Sequence, residues 1–345
     1  MSKASDFIKF KIIGHHRKVA RGQIDPIKRA SKELKELGYV FVEDNPDILL
    51  LQTYLCRPED KDNIINNLEL PTILLDDAAS TGTHKFRALN NNPKVIGYIK
   101  KQLIENRNLY KTLFPRKRYH YYILSSFDDS LSGKIKIDRH VNDEVLSKVH
   151  LGWNLGLTER EGMAIIDNPT FNLDRPIDLH FSIKVQHTSK KEKDNLSKID
   201  THYTHHRTTC YNEIDRISKK HDLTVSGNCR GKDYLDKMSK AKICISPLGL
   251  GEICWRDFEA ISNGAILLKP CMSYIETWPN IYRPWDTYIP VMWDWSDLEN
   301  VLLHILTNYE EYKVIADKAY KVMQNAWDSK VFAEKFDSII KNIIK

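Results

Sequence analysis

Short apolar runs recur along the chain, separated by amphipathic stretches of helical period. Strands buried on both faces of a parallel sheet read as such runs, and crossover helices read as the stretches between them. Phe10 to Gly14 reads as a first strand, Asp25 to Leu37 as a helix stopped by Gly38, and Val40 to Glu43 as a second strand. Asp47 to Gln52, Thr72 to Asp76 and Lys94 to Gly97 read as further strands, with helices over Asp60 to Leu68 and Ile99 to Leu113. Between Tyr119 and Asn154 the pattern loosens. There Tyr119 to Tyr122 reads as an aromatic strand, and Leu151-Gly-Trp-Asn-Leu-Gly156 as a crossing between domains.

Alternation then resumes. Ile177 to Val185, Leu223 to Ser226 and Tyr288 to Val291 read as strands. Tyr203 to Lys220, Tyr234 to Lys240, Leu298 to Leu306 and Glu310 to Met323 read as helices, and a last helix runs through Ile340. This order predicts an α/β protein of two Rossmann-like domains, residues 1–150 and 151–325, followed by a terminal helix over 326–345.

The most informative stretch runs from Lys242 to Pro270. A short apolar strand (Ile243 to Ile245) leads into a turn carrying Pro247, Gly249 and Gly251. A helix of about a dozen residues and a second strand (Ala265 to Leu268) follow, which makes a parallel βαβ unit. Ligands of such sheets lie beyond the carboxyl ends of the strands. Glycines let a ligand approach the backbone there, and the helix N-terminus offers unpaired N–H groups to a phosphate. Arg256 and Glu259 stand three apart and share one helix face. A cation for a diphosphate and a carboxylate for ribose hydroxyls are what a sugar-nucleotide site needs.

Ser246, Pro247, Gly249, Gly251, Arg256, Glu259, Ala260, Gly264 and Pro270 together resemble the donor-binding core of glycosyltransferases with the GT-B fold, especially the exostosin-like and spore-coat-type families. The match spans Gly231 to Pro270, with one departure at Leu248, where exostosins often carry a basic residue. The resemblance implies two domains facing a cleft, with the terminal helix crossing back to the first. It implies that Glu259 holds the donor ribose, while Arg256 and the Gly249 to Glu252 backbone neutralise the diphosphate, with Ser246 a further donor-binding candidate. It further implies an inverting reaction whose base comes from the first domain. Two clusters stand at predicted strand ends there: His15 and His16 after the first strand, and Asp76 and Asp77 after the fourth. The sequence does not choose between them. On the donor side, Lys184, Arg207 and Arg230 are further phosphate candidates, Lys184 sharing a strand face with Ser182.

Composition narrows the partners only slightly. An excess of 52 Lys and Arg over 46 Asp and Glu gives +6, which suits nucleotide diphosphates, nucleic acid or an anionic membrane face alike. Arg116-Lys-Arg118 followed by Tyr119, His120, Tyr121 and Tyr122 fits either nucleic-acid stacking or a basic turn before an aromatic segment, and no nucleic acid is expected. No apolar run reaches the length of a bilayer span, although peripheral membrane contact stays open. The six cysteines show no metal-ligand spacing, and several fall within apolar strands, as in a reducing cytoplasm. Asp60-Lys-Asp62 has metal-binding spacing but opens a predicted helix, where a capping role is expected and a metal is not.

The expected activity is hexosyl or pentosyl transfer from a nucleotide-sugar, the donor being a substrate and no cofactor being needed, to a hydroxyl of a glycan or glycoconjugate. A sugar-nucleotide epimerase on the same fold and a non-catalytic glycan- or nucleic-acid-binding module are the alternatives.

Overall fold

The structure, a computed structural model, describes residues 7–14, 18–53, 61–76, 78–82, 86, 88–112, 119–129, 131, 141–156, 174–183, 200–227, 229 and 231–345. The first domain is built on β1 (Ile8–Ile13), β2 (Tyr39–Phe41), β3 (Ile48–Gln52), β4 (Thr72–Asp76), β5 (Val95–Lys100) and β7 (Val149–Leu151). They form one six-stranded sheet in the order β2-β1-β3-β4-β5-β7, with every pair parallel. Thr-Ile-Leu-Leu-Asp of β4 is buried at every position, as a central strand covered on both faces must be.

The second domain holds β8 (Ile177–His180), β9 (Val225–Ser226), β10 (Ala241–Ile245), β11 (Ile266–Pro270) and β13 (Ile289–Val291). Their order is β13-β11-β10-β8-β9, again all parallel. Strand order reverses between β1 and β3 in the first sheet and between β8 and β10 in the second. Those reversals open the crevices in which doubly wound sheets bind ligands.

Two devices tie the domains together. Strand β6 (Gln102–Ile104) pairs antiparallel with β12 (Ile275–Thr277), so each half donates one strand to a ribbon. The last helix, Ser329–Ile344, returns to the first sheet and buries Phe332, Phe336, Ile339 and Ile340 against Phe10, Leu50, Ile73 and Ile99. Tyr39 also donates a 2.7 Å hydrogen bond to Asp337.

Several elements depart from the sequence reading. The expected helix over Asp25 to Leu37 is two helices, Lys18–Arg29 and Ser31–Glu36, separated at Ala30, and Gly38 ends the second at φ +94°. The expected helix over Ile99 to Leu113 does not form. Ile99, Leu103 and Ile104 fall at near-helical spacing, yet each is buried on β5 or β6, and a 3₁₀ turn follows at Arg107–Tyr110. Conversely, Tyr119 to Tyr122 opens a helix, Tyr119–Phe127, in which His120, Tyr121 and Leu124 are buried. The stretch read as a loosened crossing also contains a helix, Asp143–Ser147, and β7, the edge strand of the first sheet. Strand β8 ends at His180 rather than Val185.

Candidate functional site

Strand β10 ends at Ile245 and the chain turns through residues 246–254 into the helix Trp255–Ser262. That helix is shorter than expected because Asp257 ends the turn. Its Oδ2 accepts from the Cys254 N–H at 3.0 Å, which starts the helix at Trp255. Asp257 is fully buried and serves as a hub. It accepts from the Ser246 hydroxyl and, at 2.6 Å, from Tyr282, and it pairs with the buried Lys269 at 3.2 Å. The turn, the start of its helix, β11 and the Tyr282 loop are thus tied together through one carboxylate. A carboxylate taken from water needs this many donors to be tolerated.

Two guanidinium groups converge on the turn. Arg207, on the helix Asp200–His221, donates from Nε to the Leu248 carbonyl at 2.7 Å and lies 3.9 Å over the Tyr203 ring. Burial first, and then Arg256, lowers its pKa to about 10. Arg256 approaches the Ser246 hydroxyl at 3.4 Å, and its Nε is buried without a hydrogen-bond partner. Burial opposes the Arg256 charge, yet Cys254, Tyr234, Cys244 and Asp257 hold its pKa above the ordinary value. Two cations this close repel, so the arrangement favours an anion between or beside them.

One helical turn further, Glu259 is half-buried and its Oε2 accepts from Tyr234 at 2.8 Å. Tyr234 belongs to the helix Lys232–Ser239. His180 ends β8 opposite Cys244 of β10, at the point where strand order reverses.

The two glycines of the turn serve different ends. A methyl at Gly249 would lie 2.8 Å from Cys254 Sγ, so the thiol would have to shift to admit it. A methyl at Gly251 would lie 1.5 Å from the Ala79 carbonyl oxygen of the first domain. Glu252 follows and is fully buried. It accepts from Thr81 Oγ1 at 2.8 Å and stands 3.2 Å from His120 Nδ1. Burial alone would raise the Glu252 carboxyl; His120 and the Thr81 hydroxyl outweigh it and bring the pKa to about 2. Thr81 follows β4 and Glu252 follows β10, so the carboxyl ends of the two sheets meet.

Two Rossmann-like domains joined at their carboxyl edges, with the last helix returned to the first, define the architecture. The fold is GT-B. No protein-family model and no curated protein matches the sequence. Among solved structures the chain is similar to a glycosyltransferase from Rickettsia africae ESF-5, at 13% identity over 99% of both chains with a TM-score of 0.47. It is similar to a sucrose-phosphate synthase from Thermosynechococcus elongatus, at 11% identity over 97% of this chain and 99% of that one, with a TM-score of 0.44. It is also similar to a DNA-modifying β-glucosyltransferase, at 13% identity over 98% and 100%, with a TM-score of 0.43.

Of the residues singled out from sequence, Ser246, Gly249, Arg256, Glu259 and Arg207 gather at this one edge of the GT-B cleft. Arg207 is brought there from a helix far away in sequence. The Glu252 side chain is turned instead toward the first domain, and the Ser246 hydroxyl is committed to Asp257. Asp76 is fully buried and receives Lys100 at 2.8 Å, Tyr98 at 2.7 Å and the Ala78 N–H at 2.9 Å. A carboxylate so fully engaged holds the ends of β4 and β5 together and is poorly disposed to take a proton from a substrate. His15, His16, Asp77, Lys184 and Arg230 lie outside the described residues, as does Asp60 of the Asp-x-Asp pair. Among the described residues no group of three His, Cys, Asp or Glu side chains could hold a metal, and no helix is long and apolar enough to cross a membrane.

Sequence reasoning missed Tyr234, His180, Asp257 and Thr81. His180 carried a usable signal, a polar residue ending an apolar strand at the switch point. Thr81 carried none.

A cavity of about 700 Å³ lies at the carboxyl ends of β1 and β2, lined among others by Ile12, Gly14, Lys28, Ser31, Phe41 and Glu43. That is the size range of small-molecule sites.

Proposed function

We propose that the protein is a glycosyltransferase that moves a sugar from a nucleotide-sugar to a hydroxyl of a glycan or glycoconjugate, of the exostosin-like type that the turn-and-helix motif resembles. One observation carries this reading: Arg207 and Arg256 converge where β10 ends, with Arg256 Nε unpartnered and Glu259 one turn along the same helix. Paired cations suit a diphosphate, and a carboxylate at that distance suits the ribose attached to it.

In the proposed reaction an acceptor hydroxyl attacks the anomeric carbon as the bond to the diphosphate oxygen breaks. The two guanidiniums stabilise charge on the departing nucleoside diphosphate, so no metal is required. The acceptor proton passes to a base in the loops after β1 or β4, for which His15, His16 and Asp77 are the candidates. The β1/β2 cavity, with Phe41 as a stacking face and Lys28, Ser31 and Glu43 as polar contacts, suits a sugar acceptor. Attack opposite the leaving group would invert the anomeric centre. The buried free thiols of Cys210 and Cys244 favour a reducing compartment such as the cytoplasm.

Thermal-shift titration with UDP-, GDP-, ADP-, CMP- and TDP-sugars tests the reading, because stabilisation follows affinity. At least one donor should raise the melting temperature of the protein, and Glu259→Ala should remove that shift while leaving the unliganded melting temperature close to the parent's. If no nucleotide-sugar stabilises the protein, the reading fails.

A further inference from the structure

Four side chains form a continuous array along the carboxyl edge of the second sheet. Ser226 ends β9 and His180 ends β8, the two residues being register partners. Ser226 Oγ and His180 Nδ1 are 2.7 Å apart, and both residues are buried. The His180 ring stands edge-on to Tyr234, with centroids 5.0 Å apart and planes at 72°. Tyr234 in turn donates to Glu259 Oε2. Two strands therefore brace the phenol that reaches one oxygen of the Glu259 carboxylate.

We infer that this array fixes the Glu259 carboxylate so that the site selects ribonucleotides over 2′-deoxyribonucleotides, with Tyr234, His180 and Ser226 as positioning residues. The inference rests on the donor-site reading given above. A glutamate on a helix face has three side-chain torsions, and ordering them on binding costs affinity. Tyr234 holds one oxygen before any ligand arrives, and the hydroxyl of a phenol beside a carboxylate can only donate. A carboxylate has about four acceptor positions across its two oxygens, and the Tyr234 hydroxyl takes one position on Oε2. A fixed acceptor aimed at a hydroxyl strongly rejects the analogue lacking it, whereas a mobile one turns to whatever remains.

His180 suits the task. Burial, with Arg256 and Lys237, brings its pKa to about 4, so it is a neutral imidazole at physiological pH and sets no competing charge beside Glu259. Its contact with Ser226 fixes the ring, and the ring limits the swing of Tyr234.

Equilibrium titration of the full chain with UDP, GDP and ADP, and with their 2′-deoxy counterparts, tests this. The parent should prefer the ribo form of its nucleotide by about tenfold or more. Tyr234→Phe keeps the ring and its packing, and should bring ribo affinity down to the deoxy value while deoxy affinity changes less than about twofold. Glu259→Gln should do the same, and the double variant should lose no more than either single one. Ser226→Ala should reduce the preference in part. An unchanged ribo/deoxy ratio in Tyr234→Phe, or equal weakening of both forms, overturns the inference. Absence of binding by the parent to any of the six nucleotides would sink the donor-site reading itself.

Discussion

Thr81 and Glu252 join the two domains through a buried 2.8 Å hydrogen bond, although they stand 171 positions apart in the chain. Glu252 titrates at about 2 instead of the ordinary 4.5. A carboxyl whose pKa is lowered by folding stabilises the native state above its unfolded pKa, and that stabilisation is lost as pH falls through the folded one. The contribution should therefore be whole above about pH 4.5 and should fade toward pH 2. Urea unfolding across this window should show an acid limb in the parent that Glu252→Gln flattens, by an amount on the order of a few kcal/mol. Parallel limbs for the two proteins would refute the assignment.

Gly251 packs against the first domain rather than making room for a ligand. Gly251→Ala should lower stability by about 1–3 kcal/mol or more, since its methyl must displace the Ala79 carbonyl. Gly227→Ala has open space around it and should stay within about 0.5 kcal/mol of the parent. Denaturant midpoints for the two variants decide the matter.

Asp76 offers a clean separation of structure from catalysis. Removing one partner of a buried ion pair leaves the other uncompensated, so Asp76→Asn should cost about 3–5 kcal/mol. Asp76→Asn combined with Lys100→Met should recover part of that loss. Full stability of Asp76→Asn with abolished sugar transfer would instead make this carboxylate the base.

Arg256 and Arg207 should contribute to donor affinity through charge. Arg256→Met should weaken nucleoside-diphosphate binding about tenfold or more and flatten its salt dependence, with a smaller effect on the free nucleoside. Calorimetry at two salt concentrations measures both. An equal loss for diphosphate and nucleoside would point to a packing defect.

The β10–turn–helix–β11 unit was legible in sequence because its signals are local: apolar strands buried on both faces, glycines in a turn, and a helix with one polar face. The hub at Asp257 was not legible, because Ser246, Tyr282 and Lys269 become neighbours only when three elements pack together. Arg256 and Glu259 were found by spacing. In the sequence Arg207 is a basic residue beside two histidines, and its convergence with Arg256 depends on how the long helix lies across the sheet. The false helix over Ile99 to Leu113 has a physical cause: two adjacent strands, β5 and β6, present apolar residues at a spacing that mimics helical period. The helix at Tyr119–Phe127 was hidden by its aromatic content, which favours strands by propensity but here fills an interface between helices.

The helix Ser329–Ile344 links two stretches of chain that are far apart in sequence. Because Ser329–Ile344 completes the core begun by β1, the second domain is in effect an insertion into the first. Cutting the chain at the domain join would leave the N-terminal fragment with Phe10, Leu50 and Ile73 uncovered and β6 stripped of its mate. The first domain is then incomplete without the last helix, and its core closes only when Ser329–Ile344 returns to it.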